Sequence, residues 1–186
     1  WRADWGQTKI MGYSSGRMLL SQSEGPVSRF RAWVFIVIPL LAILFQVYVP
    51  LFFPILNFLE MPLLVVVYLS LTQRNQVGGL LTGALIGLAQ DSLSKNPLGM
   101  FGICKTLVGY FAASVGVHFN VDNTFIRLFL SFVFYFFHQT MYWVMQRMLL
   151  AQQPAFDYQS WLLFGALNAV VGASLFHFLD KLRATG

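Results

Sequence analysis

The sequence predicts an all-α integral membrane protein: a compact bundle of about six transmembrane helices with both termini cytoplasmic. Three observations carry this. Only 10% of the 186 residues are charged while 57% are apolar, and the mean hydropathy is +0.64. A soluble domain carries about 25% charged residues, so this chain has too little polar surface to clothe a water-soluble globule. Apolar runs recur at about 20 residues, the helical length that crosses a hydrocarbon core of about 30 Å. The runs also lack the two-residue alternation of barrel strands, which leaves the helix as the structure that satisfies its own backbone in lipid.

Composition excludes a soluble enzyme, a nucleic-acid reader and a disordered tail. The net charge of +5 comes from basic residues spread thinly between apolar runs, where they act as topology signals. The single cysteine, Cys104, lies in an apolar run, excludes a disulfide framework and reads as buried and inert.

Residues 1–31 are rich in Gly, Ser and Arg and read as an N-terminal cytoplasmic tail. They begin with Trp1, with Met11 and Met18 as alternative starts, and are set aside as partly extension or disorder. Residues 32–183 read as a single polytopic membrane domain. Its spans are 33–53, 55–71, 77–90, 98–117, 127–149 and 161–179. The first has no small-residue cleavage site after it and reads as a span that stays. Pro39 and Pro50 predict a kink or break there. The second and third are short enough that a re-entrant pair is an alternative.

An even number of spans puts both ends on one side. Nine of the twelve Lys and Arg then share that side, including Arg29, Arg31, Arg74, Arg127, Lys181 and Arg183. Lys95, Lys105 and Arg147 are left for the other side or the interior. The bias predicts cytoplasmic termini.

Glycines are unevenly placed. Gly79, Gly83 and Gly87 recur every four residues in the third span, and Gly102, Gly109 and Gly116 every seven in the fourth. The sixth has Gly165, Ala169 and Ala173 four apart, with Gly172 beside them. Small residues let helices approach closely in lipid, so the third, fourth and sixth helices are expected to form the close-packed core. The fifth carries aromatics on every side and is expected to face lipid or a partner. Tyr142, Trp143 and Trp161 fit an interfacial belt.

Ionisable groups within a membrane are costly and mark positions of interest. Asp91 ends the third span and Lys105 lies two turns into the fourth. They flank a short connector, and an Asp91–Lys105 pair is expected to pin this hairpin. Pro97 suits a first helical turn, and Gly99 allows close approach there. Glu60 and Pro62 open the second span, where a carboxylate suits a helix N-terminus. His138 and Asn168 are expected to hydrogen-bond across helices. No HExxH, GxSxG, Walker motif or intramembrane carboxylate pair is present. No catalytic, cofactor-binding or metal-ligating residue is therefore expected. The candidates for structural or partner-contact roles are Glu60, Pro62, Gly79, Gly83, Gly87, Asp91, Pro97, Gly99 and Lys105.

The runs EMPLLVVVYLSLTQR and GGLLTGALIGLAQDSLSKNPLGMFGICKTLVGYFAASVG resemble the MreD family of rod shape-determining proteins. The shared elements are Glu60 and Pro62 opening a Leu/Val-rich helix, the Gly79–Gly87 helix ending at Asp91, the turn at Pro97 to Gly99, and Gly109–Tyr110. The resemblance implies a non-enzymatic component of the bacterial inner membrane that binds MreC. It would work with a RodA-type glycosyltransferase and its class B penicillin-binding protein, with RodZ and with MreB, in organising side-wall peptidoglycan synthesis. No cofactor and no nucleic acid is implied; membrane lipid is. The alternative is the substrate-binding component of an energy-coupling-factor vitamin transporter. Such components dock through small residues on the first helix, where this chain offers only Ala42 among bulkier side chains.

Overall fold

The computed structural model describes residues 34–94, 97, 99–119, 121, 123–151 and 157–184. The proposed tail, residues 1–31, lies outside them. Among the described residues are six α-helices: α1 (Val34–Phe52), α2 (Met61–Gln73), α3 (Gln76–Leu93), α4 (Met100–His118), α5 (Thr124–Leu149) and α6 (Tyr158–Ala184). A 3-10 helix, Pro54–Phe58, joins α1 to α2.

Five of these segments are long and apolar enough to cross a membrane: α1, the 3-10 turn with α2, α4, α5 and α6. With 18 residues, α3 is about 27 Å long, close to the span length. Its glycines and polar residues hold its hydropathy below that of the others. Leu81, Leu85 and Leu88 are nonetheless exposed along one side of it, as expected of a lipid-facing stripe.

The helices alternate in direction. Asp91 at the end of α3 meets the start of α4, and Gly79 near the start of α3 meets Gly109 in the second half of α4. Gly116 of α4 lies against Leu71 of α2, and Tyr68 of α2 bonds Asp180 of α6. So α2, α4 and α6 run one way, with α3 and α5 against them. Pro39 and Pro50 lie inside α1 without breaking it.

The centre of the bundle is α2, buried continuously from Pro62 to Leu71. A helix apolar on all sides belongs in the interior, and PLLVVVYLSL has no polar face to turn outward. The expectation of a core of third, fourth and sixth helices holds for the first two only. Against it, α6 packs on α5 and touches α2. Gly165 faces Phe132 and Tyr135, while Gly172 faces Ser131 and Leu64. Small residues in α6 admit large rings and a leucine, not a neighbouring backbone.

Between α3 and α4 the backbones themselves touch. A Cβ on Gly79 or Gly83 would overlap the carbonyl oxygens of Gly109 and Lys105, and one on Gly87 would stand 2.5 Å from that of Phe101. Neither helix backbone can yield without separating the pair. Gly83→Leu is therefore expected to cost about 3 kcal/mol or more, the upper end of overpacking penalties. Leu85→Val, on the exposed side, should stay within about 0.5 kcal/mol. Unfolding of the purified protein, followed by circular dichroism in detergent, checks both.

Candidate functional site: a buried polar cluster and the cavity above it

Two helices begin inside the apolar bundle, and each start needs acceptors for its first N–H groups. For α4 the acceptor is Asp91. Its carboxylate takes hydrogen bonds from the backbone N–H groups of Gly99 (3.0 Å), Phe101 (3.2 Å) and Gly102 (2.9 Å). Asp91 is buried, and a carboxylate at a helix N-terminus is favoured by the dipole as well as by these bonds.

Pro97 precedes the helix instead of opening it, since α4 starts at Met100 with Gly99 as its N-cap. Gly99 has φ +98° with open space where a Cβ would be. It is required for its left-handed backbone, not for close packing. Leu98 and Lys95 lie outside the described residues.

For α2 the acceptors come from two other helices. The Glu60 N–H donates to Asn168 Oδ1 of α6 (2.9 Å), and the Met61 N–H to Gln46 Oε1 of α1 (3.2 Å). The Asn168 amide also donates to the Phe58 and Phe164 carbonyls. Pro62, second in the helix, has no N–H to satisfy.

The expected Asp91–Lys105 pair does not form. With Asp91 turned to the α4 N-terminus, the Lys105 ammonium reaches across to Glu60, 3.7 Å away. It also lies 3.5 Å from His138 Nε2 of α5 and 4.4 Å from the centre of the Phe101 ring. Lys105 and His138 are fully buried; the Glu60 side chain is 14% exposed. Three helices thus converge on one buried cation. Phe101 stacks on Tyr142, 5.0 Å between ring centres, and lies nearly parallel to His138.

Above the pair is a cavity of about 300 Å³. Glu60 and Phe101 form its floor side, with Gln139, Tyr142 and Trp143 from α5 and Trp161 from α6 among its walls. Tyr142, Trp143 and Trp161, expected in an interfacial belt, meet at this end of the bundle. Among the described residues, no group of three or more His, Cys, Asp or Glu could hold a metal. Cys104 is buried and unpaired with another cysteine.

Of the nine candidates, Glu60 and Lys105 form the pair; Gly79, Gly83 and Gly87 form the α3–α4 contact. Asp91 and Gly99 form the α4 start, Pro62 opens α2, and Pro97 lies in the connector. Sequence reasoning assigned no role to Gln46 or to Gln146 of α5. Gln46 was legible as an isolated polar residue in an apolar helix.

Asp157 caps α6: its carboxylate accepts from the Ser160 hydroxyl (2.6 Å) and the Gln159 N–H (3.2 Å). These bonds hold its pKa below the usual carboxylate value. A carboxylate depressed in this way supports the fold above its unfolded pKa and loses that support as pH falls through the folded one.

A bundle of apolar helices with a few buried polar groups and a polar-lined cavity at one end is a polytopic membrane protein. Its family follows from the whole span of the sequence: the chain belongs to the MreD family of rod shape-determining proteins, whose model matches residues 28–183. Family membership gives a role in rod shape determination. No curated protein and no solved structure matches it.

The buried pair makes a testable arrangement. Removing one partner leaves a charge buried alone, which costs about 3–5 kcal/mol, whereas replacing both can be near neutral. Lys105→Met is expected to destabilise the protein strongly, and Glu60→Gln with Lys105→Met together to recover much of that loss. A double-mutant cycle on unfolding in detergent checks this. Asp91→Ala should cost about 1–3 kcal/mol for stranding the α4 N–H groups, with no recovery from Lys105→Met.

Proposed function

We propose that this chain is a non-enzymatic scaffold of the bacterial inner membrane, binding MreC and helping to organise side-wall peptidoglycan synthesis. The observation that carries the reading is the family match over residues 28–183. In this reading residues 32–183 form the membrane domain, residues 1–31 a cytoplasmic tail, and both termini are cytoplasmic. A RodA-type glycosyltransferase with its class B penicillin-binding protein, RodZ and MreB belong to the wider assembly.

The polar candidates serve shape, not partner contact. Asp91, Lys105 and the three glycines of α3 are buried, so a partner helix cannot reach them in the folded bundle. Among the exposed apolar surfaces, the reading assigns the partner to α1, exposed at Ile36, Leu40 and Leu41, and to α5, exposed at Phe125, Phe129 and Val133. Neither presents a charged residue there, which suits the apolar transmembrane segment of a bitopic protein. Absent a hydrophobic drive in lipid, such pairing rests on packing.

A photocrosslinking residue placed at Leu40, Phe129, Leu85 or Ile103 in turn tests the surface. Adducts with MreC from positions 40 or 129 are expected. Adducts arising only from positions 85 and 103, on α3 and α4, would overturn the docking face. Failure to co-purify MreC from native membranes after mild crosslinking would overturn the scaffold reading itself.

A further inference from the structure

The cavity at the start of α2 is not used by anything derived so far. Its volume, about 300 Å³, is at the lower end for small-molecule sites. Its walls combine side-chain amides (Asn57, Gln139, Gln146) with aromatic rings (Tyr142, Trp161) around the Glu60 carboxylate. Glu60 Oε2 is buried and accepts no hydrogen bond, because Lys105 stands at ion-pair distance and not at bonding distance. Glu60 itself lines the cavity, with 14% of its side chain exposed.

The chemistry of the walls selects the occupant. A cation would meet the Lys105 ammonium already held beside Glu60, so the carboxylate has no uncompensated charge to offer. An anion would meet the carboxylate, and among the described residues no Lys or Arg lines the cavity. Wherever the proton sits in the Glu60–Lys105 pair, its net charge is zero. A wholly apolar group would set the Glu60 carboxylate and three side-chain amides against a surface that offers no hydrogen bond. A neutral ligand carrying several hydroxyls satisfies all of these: hydroxyls donate to Glu60 and exchange bonds with the amides, while a ring's C–H face packs on the aromatic walls.

We propose that the cavity binds a sugar ring, either free or as the headgroup of a glycolipid. This goes beyond the scaffold reading and does not depend on it. The full-length protein is purified in a sugar-free detergent, and the fluorescence of its tryptophans, of which Trp143 and Trp161 line the cavity, is followed. The probes are N-acetylglucosamine in solution, monoglucosyl diacylglycerol in nanodiscs, and tetramethylammonium as the cation control.

A saturable change with N-acetylglucosamine, Kd on the order of 1 mM or tighter, supports the proposal with a water-borne source. A change with the glycolipid alone supports it with a lipid source. Gln139→Ala and Gln146→Ala, whose side chains are only partly buried, should each weaken binding about tenfold with the melting temperature unchanged. No response to either sugar probe overturns the proposal. So does a stronger response to tetramethylammonium, or sugar binding unaltered in both variants. The wild-type comparison of sugar with cation decides the matter even where a variant fails to fold.

Discussion

The contact of Gly83 with the backbone of Lys105 is the constraint from which the rest of the interior follows. With α3 lying on the carbonyl of Lys105, its side chain is left to the face of α4 that meets α2 and α5. A lysine buried there needs an anion within reach, since isolated charges in an apolar interior are prohibitive. The residue that α2 brings to that level is Glu60. The close glycine packing and the buried pair therefore meet at one residue, whose backbone α3 holds and whose side chain reaches α2 and α5.

That arrangement explains why a carboxylate adjacent in sequence is not the one used. Asp91 and Lys105 lie on either side of a short connector, and proximity along the chain suggests a pair. The competing demand is stronger. The first N–H groups of α4 have no water to bond in the bundle interior, and Asp91 supplies acceptors to three of them. A lysine stem is long enough to find another carboxylate; backbone N–H groups cannot move to find another acceptor. The rigid group decides, and the flexible one adapts.

Much of the fold was legible for the same physical reason that some of it was not. Apolar run length located the helices to within a few residues, because lipid thickness sets that length independently of tertiary packing. Glycine spacing located the α3–α4 contact, because two stripes of small residues face each other there. The same signal in α6 misled: a small residue shows that something comes close, not what. Gly165 admits the rings of Phe132 and Tyr135, which the fifth span's aromatic richness had suggested would face outward. The centrality of α2 was readable from its lack of any polar face, yet its shortness obscured it; the 3-10 turn ahead of it supplies the missing length. Asn168 and His138 were expected to bond across helices and do so, since a polar group in such a span has no other recourse. Which partners they find depends on helix order, which no local pattern encodes.

Three carboxylates gather at one end of the bundle. Glu60, Asp91 and Asp157 stand at the starts of α2, α4 and α6, three helices that run in the same direction. Each start concentrates the positive end of a helix dipole, so carboxylates are stabilised at that level, and one of them, Glu60, lines the cavity. At the opposite end, Arg74 follows α2, Lys181 closes α6, and Arg127 opens α5 with its guanidinium on Asp180. Arg74 and Lys181 favour the negative ends of α2 and α6. The same basic residues carry the charge bias from which cytoplasmic termini are expected. Favourable helix-end electrostatics and the positive-inside bias thus draw on the same residues, Arg74 and Lys181.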